Sequence, residues 1–256
     1  MAERDLPPYR KIADDLRALI LSGELPPGDK LRSENELKDQ YGTTRVTVRK
    51  ALALLKADGL LVSEQGRGVF VRPRPNVQML TTGANFRERR QTGVSNFNAE
   101  AEAQGLRPEQ RILTVERVPA PTDVARLLGV DEGASVIVRR RAFFVNGEPM
   151  QLVDGYYAVA LFGGTEVEES RRIRGGVSRL IEDPEGPVRQ RITQFVEDLE
   201  IRMPSPLEID ALKIPPGVPL ARVFRTAHTA AGQAIEVLDS RVPCDRHVFR
   251  YVIDVP

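Results

Sequence analysis

A short basic run, Arg45 to Lys50, contains the residue types that best fit a specific chemistry. An arginine such as Arg45 or Arg49 can donate two parallel hydrogen bonds to guanine, and a threonine such as Thr47 can contact a phosphate or a thymine methyl group. Residues 41–74 hold seven basic and two acidic residues, whereas the whole chain of 256 residues has a formal net charge of +1. Positive charge concentrated in one segment indicates contact with a polyanion, with a solvated basic face as the alternative.

The apolar spacing around this run predicts a helix whose buried face comprises Val48, Ala51, Leu52 and Leu55. Thr43 or Thr44 can cap its start. Ser33 and Glu36 fit a capping box, which predicts a shorter helix from about Glu34 to Gln40. Two helices joined by a short glycine-containing turn, the second basic at its start, are typical of a helix-turn-helix.

Further elements are predicted on both sides of this pair of helices. A first helix is expected from Pro8 to the glycine at Gly23. Apolar runs at 60–62 and 69–71 flank a turn that contains Gly66-Arg67-Gly68, which predicts a β-hairpin with a basic tip. Three helices and a hairpin within 65 residues predict a winged helix-turn-helix domain.

This segment resembles the N-terminal domain of GntR-type transcriptional regulators. The resemblance rests on Tyr9–Ala13, Gly23–Leu31, Ser33–Leu37, Tyr41–Leu52, Asp58–Leu61 and Gly66–Val71. It implies binding to double-stranded DNA through Arg32, Ser33, Thr43, Thr44, Arg45, Thr47, Arg49, Gln65, Gly66 and Arg67. Arg32 stands where the family commonly has proline, and it adds a positive charge to the expected DNA side.

The segment Arg72 to Asn76, with prolines at alternate positions, is the best candidate for a domain boundary. We predict a DNA-binding domain at 1–72, a linker at 73–95 and a second domain at 96–256.

The second domain is predicted to be α+β with an antiparallel sheet. We expect strands at 111–118, 135–145, from about 150 to 152, 220–228, 234–242 and 249–255. We expect helices at 99–104, 121–128, 177–181, 192–199 and 205–212. Asn146-Gly147 between apolar runs is a strong hairpin signal.

This domain is similar to UTRA, the ligand-sensing domain of HutC-like GntR regulators, whose fold is similar to chorismate lyase. The similarity rests mainly on Ala125–Val130, Arg139–Pro149, Met203–Glu208, Arg225–Ala227 and Gly232–Val237. It implies a homodimer whose DNA binding is controlled by a small-molecule effector. The candidate effector-binding residues are Asn96, Phe97, Arg141, Phe143, Glu236 and Arg246.

The sequence departs from the pattern of related sensors at two positions that would contact the effector. Sensors of sugar phosphates in this family hold the phosphate with two arginines at alternate strand positions, and here Arg141 occupies the first position and Phe143 the second. Arg139 is expected on the same strand face, and Gly176 replaces a serine at a helix start. An apolar or aromatic effector is therefore an equal alternative to a phosphate.

Other chemistry has little support. The single Cys244 excludes a disulfide framework, and His228 and His247 lack ligand spacing, so no metal, cofactor or catalytic residue is expected. The absence of a signal sequence and of a membrane-length apolar run leads us to expect a cytoplasmic protein. The sequence thus predicts a repressor that binds a pseudo-palindromic operator. The alternatives are an enzyme of chorismate-lyase-like fold with an accessory DNA-binding domain, and an architectural DNA-binding protein without an effector.

Overall fold

The computed structural model describes residues 6–73, 79–80 and 96–251. The chain divides into two compact units, Met1–Asn76 with Ile214–Val218 and Val77–Lys213 with Pro219–Pro256. Of the predicted linker at 73–95, only residue 73 and the short strand Met79–Leu80 fall within the described ranges.

The N-terminal unit consists of three helices followed by a hairpin. Its elements are α1 (Pro8–Ser22), α2 (Glu34–Gln40), α3 (Arg45–Ala57), β1 (Leu61–Glu64) and β2 (Gly68–Val71). β1 and β2 pair antiparallel. The apolar faces of the three helices and the hairpin form one core, which consists of Ile12, Ala13, Leu16, Leu31, Leu37, Val48, Ala51, Leu52, Leu55, Leu61 and Val71. This confirms the winged helix-turn-helix fold and the predicted buried face of α3.

Local sequence signals explain where these helices begin and end. Pro8 starts α1, where a missing N–H costs nothing, and Gly23 ends it in the left-handed conformation. The Ser33 hydroxyl accepts from the Glu36 N–H, and the Glu36 carboxylate accepts from the Ser33 N–H at 2.7 Å, so the predicted capping box is present. Thr44 rather than Thr43 caps α3.

The second unit is built on a six-stranded antiparallel sheet in the order β4-β5-β6-β9-β8-β7. Its strands are β4 (Pro108–Pro119), β5 (Ser135–Val145), β6 (Glu148–Ala158), β7 (Ile192–Arg202), β8 (Leu220–Thr229) and β9 (Ala234–Pro243). β5 and β6 form the hairpin expected from Asn146-Gly147, both of which have positive φ. A short strand β10 (His247–Val248) pairs in parallel with β3 (Met79–Leu80).

Short helices connect and cover these strands. They are α4 (Asn96–Ala103), α5 (Thr122–Leu128), α6 (Val159–Phe162), a 3-10 turn (Glu166–Glu168), α7 (Gly176–Glu182) and α8 (Pro206–Leu212). None of the helices within the described ranges combines the length and apolarity needed to cross a bilayer.

The two faces of the sheet bury different clusters. One face packs against α5 through residues that include Val136, Val138 and Tyr156. The opposite face carries a cluster around Ile137 and Tyr157 and a separate cluster formed by Phe97, Ala101, Phe143, Val145, Met150 and Val153. Between these two clusters, β5 places Arg139 and Arg141, because alternate residues of a strand share a face.

Several expectations for single elements were wrong. Residues 192–199 form most of β7 and not a helix, because all of this segment except a bulge near Thr193 pairs with β8. No strand is present at 249–251, and the rest of the predicted strand at 249–255 lies outside the described residues. β6 continues to Ala158, well beyond the expected 150–152, because β9 pairs along it.

Candidate nucleic-acid interface and effector site

The start of α3 is capped by Thr44 and faces solvent. The Thr44 hydroxyl accepts a hydrogen bond from the Thr47 N–H at 3.2 Å, and the two threonine hydroxyls lie 2.9 Å apart. Thr44, Arg45 and Arg49 are exposed, while Thr43 and Thr47 are half-buried. The cap therefore fixes the helix start and directs its first turn outward, as insertion into a major groove requires.

The two arginines near the start of α3, Arg45 and Arg49, differ in the contacts they make. Arg49 Nε donates to a Glu34 carboxylate oxygen on α2 at 2.8 Å, so its charge is partly neutralised. Arg45 forms no hydrogen bond or ion pair with any residue in the described part of the chain. An exposed guanidinium with all of its donors available is the group best suited to pair with guanine.

The other residues predicted to bind DNA lie on the same unit. Arg32 donates to the side chain of Gln40 at 2.8 Å, next to the capping residue Ser33. Gln65, Gly66 and Arg67 are exposed at the hairpin tip, where Arg67 pairs with Glu64 and lies 5.5 Å from the Phe70 ring.

Two glycines shape this hairpin tip. Gly66 and Gly68 have φ of 74° and 125°, which only glycine adopts readily. A Cβ at Gly68 would also lie 2.9 Å from Lys30 Cε, so the lack of a side chain at Gly68 lets Lys30 approach the hairpin closely.

Val46, which stands between Arg45 and Thr47 and is 64% exposed, was not among the residues predicted to face DNA. A large apolar side chain so exposed beside two polar contacts could have been found from the helical spacing, because Val46 falls outside the predicted buried face.

On the second unit, the strand register brings several polar side chains to one sheet face. Arg139 is paired with Gly155, and Gly155 is paired in turn with Leu238. Tyr157 follows on β6, and its hydroxyl donates to Glu236 on β9 at 2.8 Å. Arg139, Arg141, Tyr157 and Glu236 therefore face the same side of the sheet between its two apolar clusters.

Arg139 has a structural role. It is 2% exposed, and its guanidinium donates to the carbonyl oxygens of Val167 and Glu169 at 2.7 Å and of Arg171 at 2.8 Å. Burial lowers the pKa of Arg139. Because these donors are engaged, we expect Arg139 to hold the 166–171 segment on the sheet and not to bind a ligand anion.

Arg141 is in a different situation. Its Nε is buried without a hydrogen-bond partner, and its guanidinium carbon lies 5.7 Å from the centre of the Phe143 ring. Phe143 and Phe97 are both buried, with ring centres 5.0 Å apart. An arginine beside an aromatic pair, with no hydrogen bond to a described residue, is available to bind an anionic group.

Glu236 is a carboxylate that is 4% exposed and has no cation within ion-pair distance among the described residues. Burial raises its pKa, although the Tyr157 hydroxyl opposes that shift. Burial also raises the pKa of Tyr157, which keeps the phenol protonated as a donor. A buried carboxylate with a single donor can accept a further hydrogen bond from a ligand.

Tyr157 was missed in the sequence analysis. A Cβ at Gly155 would lie 2.7 Å from the Tyr157 hydroxyl, so the glycine allows the phenol to fold across the strand toward Glu236. A glycine two residues before a tyrosine in a strand was the available signal.

The other candidate effector residues, Asn96 and Arg246, lie away from Arg141 in sequence. Arg246 donates to the carbonyl oxygens of Pro149, Leu212 and Lys213, so its guanidinium holds the backbone at these three positions together. Asn96 is the first residue of α4. Gly176 begins α7, as expected for the replaced helix-start serine.

A small cavity lies on the same face of the sheet as Arg139, toward its β4 edge. It has a volume of about 100 Å³ and is lined by Val115, Glu116, Arg117, Ile137 and Glu168. Ligand pockets usually measure about 300 Å³ or more, so this cavity is too small for a metabolite as it stands.

Comparison with known proteins agrees with both halves of this description. Residues 8–71 match the family described as bacterial regulatory proteins, gntR family, and residues 103–248 match the UTRA domain. The chain belongs to the GntR family. It is a DNA-binding transcriptional regulator with a C-terminal UTRA domain, which confirms the resemblance, the fold class and the regulatory function inferred from the sequence.

Individual relatives span most of the chain. The HTH-type transcriptional repressor NagR of Bacillus subtilis is 28% identical over 97% of this chain and 96% of its own length. The HTH-type transcriptional regulator Rv0792c of Mycobacterium tuberculosis is 31% identical over 91% of this chain and 81% of its own. A crystal structure of a GntR-family transcriptional regulator superposes with a TM-score of 0.71 at 26% identity, covering 98% of this chain and 99% of the other.

Proposed function

We propose that this GntR regulator is a homodimeric repressor that binds a pseudo-palindromic operator and is controlled by a small molecule in its UTRA domain. The single observation that carries the DNA-binding part is the state of Arg45. Its guanidinium is exposed at the capped start of α3 and makes no hydrogen bond or ion pair within the described residues.

The rest of the interface is assigned by position around Arg45. Arg32, Ser33, Thr43, Thr44, Thr47 and Arg49 supply hydrogen bonds from α2 and α3 to phosphates and bases, and Gln65, Gly66 and Arg67 supply the hairpin tip. A two-fold dimer presents two copies of this surface to one duplex, which is why we expect half-sites with two-fold symmetry. The name of the repressor NagR supports repression over activation.

The effector site is assigned to the sheet face between Arg141 and Glu236. Both terminal nitrogens of the Arg139 guanidinium donate to backbone carbonyl oxygens, and Phe143 stands in the second arginine position, so Arg141 is the cation left to meet an anionic group. Phe97 and Phe143 favour a flat or apolar body beside that group. These residues favour a singly charged carboxylate with an apolar portion over a phosphate ester.

Effector binding must alter DNA binding through a coupling free energy. A coupling of ~1–3 kcal/mol between two sites is typical of allosteric proteins. The predicted linker at 73–95 is the chain segment that would transmit it, and it lies almost wholly outside the described residues.

DNA binding can be tested without knowing the operator. The full chain is used to select duplexes from a random library, and the selected site is then titrated by fluorescence anisotropy at fixed salt. We expect a two-fold symmetric consensus, and we expect Arg45→Ala to weaken binding by ~5- to 150-fold, which corresponds to the ~1–3 kcal/mol of a base contact.

Arg126→Ala is the matched control, because Arg126 is exposed on α5 of the other unit and its removal takes away the same charge. Its affinity should stay within about twofold of the unmodified chain. Equal loss in both variants would show that Arg45 contributes only general charge and would refute the assigned contact.

The effector can be sought by thermal-shift measurements with aromatic carboxylates and with sugar phosphates. We expect stabilisation by a carboxylate, its loss in Arg141→Ala, and unchanged operator affinity of that variant without ligand. Stabilisation only by sugar phosphates would contradict the proposed ligand class. Consumption of a stabilising compound over hours would favour the enzyme alternative, whereas we propose binding without turnover.

A further inference from the structure

Val46, the second residue of α3, projects away from the core of the N-terminal unit. On a helical wheel of about 100° per residue, it lies about 10° from the direction opposite the centre of the buried face of α3. Arg49 lies on one side of Val46 and Lys50 on the other, and both are exposed. Among the large apolar residues of Arg45–Ala57, a range that the structure describes in full, only Val46 is exposed.

The first turn of α3 is not composed for stability in water. β-Branched residues such as valine have a lower helix propensity than straight-chain residues, and acidic side chains are the ones that stabilise a helix start. α2 follows this preference with Glu34 and Glu36 in its first turn, whereas the first turn of α3 has no acidic residue. A carboxylate there would repel a duplex, so this composition fits a helix start that approaches DNA.

The base edges in the major groove offer one apolar group, the 5-methyl group of thymine. A recognition helix enters this groove with the residues of its first turns against the base edges. In that position Val46 faces the bases, while Arg49 and Lys50 on its two sides face the walls of the groove. Valine in a helix is held in one preferred χ1 rotamer, so its two methyl groups lose little freedom when they make a contact.

Thr47, whose methyl group is the other candidate for such a contact, is less well placed. It is half-buried, its N–H donates to the Thr44 hydroxyl, and its own hydroxyl lies 2.9 Å from that of Thr44. These contacts hold Thr47 in the cap of α3. On the same helical wheel it lies about 90° from the outward direction. The apolar contact with a base is therefore better assigned to Val46.

We propose that Val46 recognises a thymine by apolar contact with its 5-methyl group, within about two base pairs of the guanine that Arg45 contacts. Adjacent residues have Cα atoms about 3.8 Å apart and successive base pairs are about 3.4 Å apart, so neighbouring side chains reach bases one or two steps apart. The inference rests on the proposed function, because it requires α3 to lie in the major groove. It adds to the operator a base that hydrogen bonds from arginine do not specify.

Replacement of thymine by uracil removes only the 5-methyl group and so tests this contact by itself. The operator selected by the full chain is synthesised with deoxyuridine at one thymine position of both half-sites at a time, and affinity is measured by fluorescence anisotropy at fixed salt. Burial of one methyl group corresponds to about a fourfold change in affinity, so substitution in both half-sites should weaken binding about 15-fold. We expect this loss at one thymine position in each half-site.

A double-mutant cycle assigns the effect of the methyl group to a residue. Val46→Ala shortens the side chain and raises the helix propensity of the position, so α3 should be retained, and circular dichroism checks this. We expect Val46→Ala to bind the thymine and uracil operators with affinities within about twofold of each other. The same loss on uracil substitution in Val46→Ala as in the unmodified chain would overturn the proposal, because the methyl group would then act through DNA shape or through another residue.

Thr47→Ser is the matched control for this cycle. It removes the methyl group of Thr47 and keeps the hydroxyl that lies beside the Thr44 hydroxyl. We expect Thr47→Ser to keep the full sensitivity to uracil that the unmodified chain shows. Loss of that sensitivity in Thr47→Ser, together with its retention in Val46→Ala, would assign the thymine to Thr47 and overturn the proposal.

The same measurements separate the role of Val46 from the proposed function. An operator that is bound specifically, is bound more weakly by Arg45→Ala, and tolerates uracil at every thymine would refute the role of Val46 and leave the proposed regulator intact. Selection from the random library that returns no two-fold symmetric consensus would refute the proposed operator binding, and the role of Val46 with it.

Discussion

The two arginines of β5 should respond to the same substitution in opposite ways. Arg139→Met removes a guanidinium that donates three hydrogen bonds of 2.7–2.8 Å to the carbonyl oxygens of residues 167, 169 and 171. Each hydrogen bond from a charged donor contributes ~1.5–3 kcal/mol, and part of this is offset by the cost of burying the charge. We therefore expect a net loss of ~3–5 kcal/mol.

Arg141→Met should cost less than ~1 kcal/mol, because the Arg141 side chain donates no hydrogen bond to a described residue, whereas the terminal nitrogens of Arg139 donate three. Differential scanning calorimetry of the full chain measures both effects. For a unit of this size, ~2–4 °C per kcal/mol predicts that Arg139→Met lowers the unfolding temperature of the C-terminal unit by about 10 °C and Arg141→Met by less than about 3 °C.

The assignment of roles is refuted if the two variants lose equal stability, or if Arg141→Met loses more. It is also refuted if Arg139→Met keeps its stability and loses the response to effector, since Arg139 would then be a ligand-binding residue. The calorimetric comparison of the two variants can be made without knowing the effector.

Three further perturbations have defined outcomes. Hydrogen bonds from Arg202 lower the pKa of Glu208 to about 2, so the ionised carboxylate stabilises the fold fully above about pH 4.5 and loses this effect as the pH falls toward 2. Urea unfolding should show that Glu208→Gln is less stable than the unmodified chain by ~1–3 kcal/mol at pH 7 and that this difference vanishes near pH 2. Burial lowers the pKa of His247 to about 4, so the folded state loses stability between pH 6.5 and 4 as the unfolded chain takes up a proton. In a plot of unfolding free energy against pH, this loss should be absent from His247→Phe. The same slope in both proteins would mean that burial does not lower the pKa of His247. Glu34→Gln frees Arg49 and removes a negative charge from the DNA-facing side, so operator affinity in anisotropy titrations should rise a few-fold, whereas a fall would indicate that Glu34 positions Arg49 for binding.

The N-terminal unit could be predicted closely because its signals are local. The capping box at Ser33 and Glu36, the cap at Thr44 and the glycine after α1 each act within one helical turn. The spacing of Val48 and its buried neighbours then fixed which face of α3 turns inward and which carries the basic residues.

The sheet domain was harder to predict because pairing between distant strands overrides local preference. Residues 192–199 form a strand because they pair with β8, and no local feature of the segment predicts that pairing. The same holds for Tyr157 and Glu236, which are 79 residues apart in sequence and meet only through the pairing of β6 with β9.

The roles of charged residues were the least predictable feature. Arg139, Arg141 and Arg246 look alike in sequence, yet two of them bind backbone carbonyl oxygens and one lies beside an aromatic pair. Only the position of each guanidinium relative to the chain around it separates a residue that holds a loop from one that can meet a ligand.

Operator recognition is proposed to depend on Arg45 contacting a base from the start of α3, and methylation interference at guanine N7 tests this contact directly. Operator DNA selected by the full chain is partially methylated, bound by the unmodified chain or by Arg45→Ala, and separated into free and bound fractions. We predict that methylation of one guanine in each half-site excludes the unmodified chain and has no effect on the variant, because the contact it blocks is already missing. The same interference pattern in both proteins would contradict the assignment of Arg45 as the base-reading residue.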